Sequence, residues 1–179
     1  MEKLDVAKNY KQNQEIPSNI EAEQHLLGSV LVNNDIIDEV ANLINSEKFY
    51  DPIHVKIYEV IESLNSKGMI ANPITLKNFF EKNQGLDDVG GVEYLVKLTR
   101  FSSSVKQALD YAKIVHENYV KRELVQISHH IKDDTLNSEE DKSSELIIED
   151  AEKLLFDLAE RGTFSQSFIK FNLALDQSI

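Results

Sequence analysis

From about Val105 to His130 the chain contains neither glycine nor proline, and its apolar residues recur at helical spacing. Ala112, Val115 and Tyr119, then Val120, Leu124, Ile127 and Ile131, sustain that spacing and predict one long helix. Asp133 to Lys142 is polar and acidic and reads as a turn. The pattern resumes from Ser143 to Arg161 at Ile147, Ala151, Leu154 and Leu158, and Gly162 ends it. Two long helices joined by a short polar turn make an antiparallel hairpin over 105–162. Two helices alone bury two apolar faces poorly. The hairpin is therefore expected to pack on its own domain or on a second hairpin from another copy.

The rest of the chain points to the same class, all-α: a compact bundle of short helices, the long hairpin, then a linker segment. Only 6 Gly and 3 Pro punctuate its 179 residues. Residues 1–16 are polar and read as an arm. Pro17-Ser18 opens a helical domain over 17–104, and Ser18 and Glu21 have the spacing of a capping box. Ile20, Leu27 and Leu31 follow on one face. Gly28, inside that helix, reads as a close helix contact at a cost of about 1 kcal/mol against alanine. Ile36, Val40 and Leu43 predict a short second helix. Asp51-Pro52 is a cap followed by proline at the first helical position; Ile57, Ile61 and Leu64 carry the stripe and Gly68 ends it. Asn72-Pro73 starts a further helix with Thr75 as cap and Leu76, Phe79 and Phe80 inward. Gly90-Gly91 precedes Tyr94, Leu95 and Leu98, and Ser102-Ser103-Ser104 marks a boundary before the hairpin. The tail, 163–179, is apolar-rich and reads as the start of a linker helix.

Chemistry is mostly excluded. A formal net charge of -12 gives no general pull on phosphate backbones. The absence of cysteine rules out disulfides, thiol catalysis and Cys-ligated zinc. No apolar run approaches the ~20 residues of a membrane span. Met1-Glu2-Lys3-Leu4-Asp5 opens no secretory signal, so the expectation is a cytoplasmic protein with no membrane partner. Gly85 to Gly90 has the first half of a P-loop, but Gly91 and Val92 stand where Lys and Ser/Thr would hold phosphate and magnesium. His129 and His130 lie four residues before Asp133 and Asp134, a pairing better read as a solvated helix end than as a metal site. The carboxylates from Asp133 to Glu145 lack the order of an EF-hand. His54, just after a capped helix start, is expected to hydrogen-bond locally. No catalytic, cofactor-binding or metal residue is assigned.

The order of short segments carries a resemblance. Ile20-Glu21-Ala22-Glu23-Gln24 with Leu27-Gly28, then Phe49-Tyr50 with His54 and Ile57, are followed by Pro73-Ile74-Thr75-Leu76. Val89-Gly90-Gly91 with Tyr94-Leu95, Tyr111-Ala112 with Ile114-Val115, and Arg122-Glu123-Leu124 complete the set. Over roughly residues 17 to 161 this collinear set resembles the N-terminal part of replicative DNA helicases of the DnaB family. The resemblance implies a collar domain with the start of a linker, in a ring hexamer built as a trimer of dimers. It implies a 5′ to 3′ helicase whose ATP and magnesium belong to a further RecA-like domain, outside this chain, and whose ring passes single-stranded DNA through a channel that the collar shapes. It also implies primase and a helicase loader as partners. Pairing through the hairpin would bury on the order of 1,600 Å², with Tyr119, Leu124, Ile127, Ile131, Ile147, Leu154 and Leu158 as the expected oligomer contacts. The alternative is that these residues pack only within their own hairpin. Two other readings stand beside it: the helicase-binding domain of a primase, disfavoured because the fold begins so soon after Met1, and a free-standing helical adaptor.

Overall fold

The computed structural model describes residues 15–82, 91–137 and 143–161. Most of the arm, the Gly85–Gly90 segment, residues 138–142 of the expected acidic turn and the tail from 163 lie outside the described residues, while Asp133 to Asn137, expected in that turn, continue the long helix. Those described form α1 (Ile20–Val32), α2 (Asp35–Val40), α3 (Pro52–Ser66), α4 (Pro73–Lys82), α5 (Gly91–Thr99), α6 (Val105–Asn137) and α7 (Ser144–Arg161), with a 3₁₀ turn at Ser46–Lys48. No strand occurs among them, as the all-α expectation requires.

α1 is the axis of the bundle. A helix apolar on most of its circumference can only be stable when surrounded, and α1 contacts α2, α3, α5 and α6. Ala22, Leu26, Leu27, Val30 and Leu31 are all buried. Gly28 is where α1 meets the end of α5 at backbone distance: a Cβ there would stand 2.1 Å from the Leu98 carbonyl oxygen. The close contact expected at Gly28 is thus a contact with backbone. The next residue, Ser29, fastens the loop after α5, its Oγ accepting from the Ser103 amide at 2.9 Å and donating to the His25 carbonyl at 2.7 Å.

Local signals set several ends as expected and two of them differently. α3 starts on Asp51, whose carboxylate accepts from the Ile53 amide at 2.8 Å, with Pro52 in the first turn. It stops at Gly68 (φ +68°), whose amide and that of Met69 donate to the Asn65 and Leu64 carbonyls. That is a Schellman ending, which glycine makes without a steric penalty. The cap of α1 is Asn19, not Ser18: its Oδ1 accepts from the Ala22 amide at 2.9 Å. Both types cap well, and the register of the apolar face decides between them. Likewise Asn72, not Thr75, caps α4; its Oδ1 accepts from the Ile74 and Thr75 amides. Thr75 occupies the third helical position and accepts from the Asn72 amide at 2.9 Å, closing a capping box.

The hairpin is rooted in this core. Ala108, Ala112 and Val115 of α6 are buried against the preceding helices. α6 also packs on α7, and beyond Arg122 none of its described residues is buried.

Candidate functional site

Three segments of the resemblance converge on one buried polar network. Glu23 (2% exposed) and His54 (0%) meet with Nδ1 and Oε2 2.6 Å apart. A carboxylate only accepts, so Nδ1 carries the proton; in the neutral ring Nε2 then accepts from the Tyr94 phenol at 2.7 Å. Tyr94 in turn accepts from the Gln24 amide at 3.2 Å. Glu23 also accepts from the backbone amides of Tyr50 at 2.6 Å and Asp51 at 3.3 Å. The network pins the starts of α3 and α5 to α1. His54 therefore does not bond locally: its partners lie 31 and 40 residues away in sequence. With both ionisable groups sealed from solvent, it holds the fold and offers no open position to a substrate.

A second cluster sits where α6 leaves the core. Arg122 donates to the Pro17 carbonyl at 3.0 Å and the Lys48 carbonyl at 2.8 Å. Its guanidinium lies over the Tyr50 ring at 5.5 Å and the Tyr119 ring at 6.0 Å. Lys48 donates to the Leu43 carbonyl at 2.7 Å and lies 5.9 Å from the centre of the Tyr119 ring. Burial lowers the Lys48 amine below its ordinary value. Burial likewise raises the Tyr119 phenol, with Glu123 and Glu47 adding to it. His116 is buried beside this cluster. Its ring nitrogens make no well-formed hydrogen bond among the described residues, although the Leu43 carbonyl, which also accepts from Lys48, lies near enough to act on the ring. Burial, then the Lys48 charge, hold His116 below the usual histidine value. Beyond the Arg122-Glu123-Leu124 segment, no spacing signal points to this cluster.

The hairpin beyond this root is where surface chemistry is unfinished. Of the seven expected contact residues, Leu158 is buried in the single chain, and Tyr119, Ile127, Ile131, Ile147 and Leu154 are half-buried. Only Leu124 stands open, at 44% exposure. On α7, residues 147, 151, 154 and 158 fall on one side of the helix at 100° per residue, and the structure buries them most. A different apolar set faces out: Leu146, Ile148, Leu155 and Phe156 on α7, with Leu124, Val125 and Leu136 on α6. Ile148, Leu155 and Phe156 lie along one flank of α7. Periodicity found the helices but did not separate the flank that closes the hairpin from the one it leaves bare.

No group of three or more metal-ligating side chains converges among the described residues. His130 Nε2 lies 3.6 Å from Asp134 Oδ2, a one-turn contact. None of the described helices is long and apolar enough to cross a membrane.

Comparison with known proteins settles the family. Residues 15–117 match the family model described as DnaB-like helicase N-terminal domain. The chain belongs to that family. The replicative DNA helicases DnaB of Rickettsia conorii and Rickettsia bellii are 38% and 40% identical to it over 164 residues, 92% of this chain. The chain spans 33% of the length of these DnaB relatives. Among solved structures, the N-terminal domain of DnaB helicase from Mycobacterium tuberculosis aligns with a TM-score of 0.74 at 26% identity, covering 80% of this chain and 99% of that one. A DnaB-like replicative helicase, solved in a study of its interactions with primase, aligns with a TM-score of 0.64 at 23% identity. It covers 86% of this chain and 35% of that one, a likeness of fold. The matched region takes in both polar clusters, apart from the side chains that α6 adds beyond residue 117.

Proposed function

We propose that this chain serves as the collar of a replicative helicase ring: it pairs through its hairpin with a second copy and presents the paired surface to primase. The observation that carries the reading is the bare apolar flank of the hairpin. Leu124, Ile148, Leu155 and Phe156 are each more than two-fifths exposed, and all four belong to the two helices of the hairpin. Large exposed apolar surface on a folded domain marks an interaction site. Charge supports pairing of unlike flanks: exposed Lys121 and Lys132 accompany Leu124 on α6, whereas exposed Glu145, Glu149 and Glu152 accompany Ile148 and Phe156 on α7. Packing α6 of one copy against α7 of the other brings these charges together across a two-fold axis.

The family membership supports the rest. A chain matching the N-terminal third of DnaB helicases is read as the part that arranges subunits, in a trimer of dimers. In this reading ATP, magnesium and the single-stranded DNA track belong with the two thirds of the relatives' length that it does not span, and a helicase loader and the cytoplasm complete the setting. The acidic surface fits a scaffold and not a DNA grip.

Titrating the chain with the helicase-binding domain of a bacterial primase, followed by light scattering on a sizing column, tests the reading. The expected result is a complex whose mass contains two copies of this chain for each primase domain. A primase domain that elutes separately from an intact dimer would remove the docking half of the proposal.

A further inference from the structure

The end of the bundle that lies away from the hairpin tip carries a second open surface. α6 runs back along α1: Arg122 bonds the Pro17 carbonyl ahead of α1, whereas Ser103, just before α6, bonds Ser29 in the last turn of α1. The hairpin therefore projects past the start of α1, and the α3–α4 and α5–α6 connections close its other end. Asn34 fastens the first of these, its side chain accepting from the Ala71 amide at 2.6 Å and donating to the Ala71 carbonyl at 2.8 Å. Val32, Met69, Ile70, Ile74 and Val105 stand open around this end, from 39% exposed at Val105 to 71% at Ile74.

Charge sets this end apart. The chain carries 31 acids against 19 bases. Yet residues 32–35, 67–74 and 100–106, which close this end, hold one acid, Asp35, against three exposed cations, Lys67, Arg100 and Lys106. Arg100 and Lys106 make no ion pair among the described residues. The ties through Asn34 and Ser29 hold the surface in shape before any partner arrives, which lowers the cost of ordering it.

We propose that this end docks an acidic amphipathic segment of another protein, with its apolar side chains on Val32, Ile70 and Ile74 and its carboxylates on Arg100 and Lys106. Exposed aliphatic side chains rimmed by cations match such a segment in both respects. A nucleic acid would engage the cations through its phosphates and leave the aliphatic residues without a role. An anionic membrane would call for exposed aromatic anchors, and the residues closing this end include none. The proposal does not rest on the pairing of hairpins, which uses Leu124 and α7.

The probe is a capped, fluorescein-labelled helical peptide with Leu at every third or fourth position and Glu on both flanks, set beside the same peptide with Gln for Glu. Anisotropy titrations with the full chain at low salt should show the Glu peptide binding about tenfold more tightly, and the advantage should shrink as salt is added. Ile70→Asp with Ile74→Asp, and separately Arg100→Glu with Lys106→Glu, should each weaken it by about tenfold while the helical circular dichroism is unchanged. Leu124→Asp should leave it as it is. Equal binding of the two peptides overturns the proposal, as does binding that survives both double changes or is lost with Leu124→Asp. Tighter binding of oligothymidine or of phosphatidylserine vesicles, lost with Arg100→Glu and Lys106→Glu, overturns it in favour of a nucleic acid or a membrane. A fall in the mass of the chain alone with Ile70→Asp and Ile74→Asp places a second copy on this end and overturns it too.

Discussion

The bundle around α1 and the far half of the hairpin are built from the same residue types, yet they end in opposite states. In the bundle, Leu26, Leu27, Ile57, Ile61, Leu76, Leu95 and Leu98 have no appreciable exposure, and even the buried Glu23 and His54 are paired. Among the described residues of the far hairpin only Leu158 is buried, while Leu124, Leu136, Ile148, Leu155 and Phe156 stay open. Apolar content does not separate the two regions; the number of neighbours does. α1 is enclosed by four helices, whereas none of the described residues of α6 beyond Arg122 is buried. The core of the bundle is closed by its own chain, with Val32, Ile70 and Ile74 left open at its edge, whereas the far hairpin leaves a whole flank bare.

Substitutions in the two regions should therefore differ sharply. The largest loss is expected at His54→Ala, which removes the buried hydrogen bonds to Glu23 and Tyr94 and leaves a cavity between α1, α3 and α5. Together these cost about 3–5 kcal/mol, read as a lower urea midpoint. Arg122→Ala comes next, since it removes two hydrogen bonds from a charged donor together with both ring contacts, about 2–4 kcal/mol. Gly28→Ala should cost about 1–3 kcal/mol or more, despite alanine's better helix propensity, because the obstacle at 2.1 Å is the Leu98 carbonyl and cannot swing aside. Leu155→Ala, at an exposed position of the hairpin, should change unfolding of the dilute monomer by no more than about 0.5 kcal/mol. If it instead weakens the dilute chain as much as a bundle substitution does, the contrast between the regions fails.

The smallest effect sharpens the join between them. His116 sits at the root of the hairpin with its folded-state value held below the ordinary one by burial and by Lys48. Below the unfolded value, near 6.5, the unfolded chain binds the proton more readily than the folded one. Stability is therefore full above that value and declines as pH falls through it towards the lowered one. Urea midpoints between pH 8 and pH 5.5 should show this decline, and His116→Leu should flatten it. Equal slopes in the two proteins would mean that other groups set the acid sensitivity.

How much of this was legible in the sequence follows from the range of each interaction. The span of α3 was readable because Asp51-Pro52 and Gly68 act within a turn of themselves. The long hairpin was readable because its period persists. The caps at Asn19 and Asn72 were misplaced by one residue and by three, since neighbouring Ser18 and Thr75 carry equivalent oxygens and only packing sets the register. The tie of His54 to Glu23 and Tyr94 was invisible to spacing, as its partners lie on other helices. The resemblance segments did contain all three residues, but nothing in them said that they touch. The expected contact residues show the same limit: a stripe at helical period marks what leaves water, not whether it does so against its own hairpin or another copy's.

The central claim is that the outer flanks of α6 and α7 are covered by a second copy of the chain. Sedimentation equilibrium across the micromolar range, on the chain and on a variant carrying Leu124→Asp and Leu155→Asp, tests it most directly. The account predicts a dimer for the first and a folded monomer for the second. A chain that sediments as a monomer throughout, or a dimer indifferent to both aspartates, would contradict it.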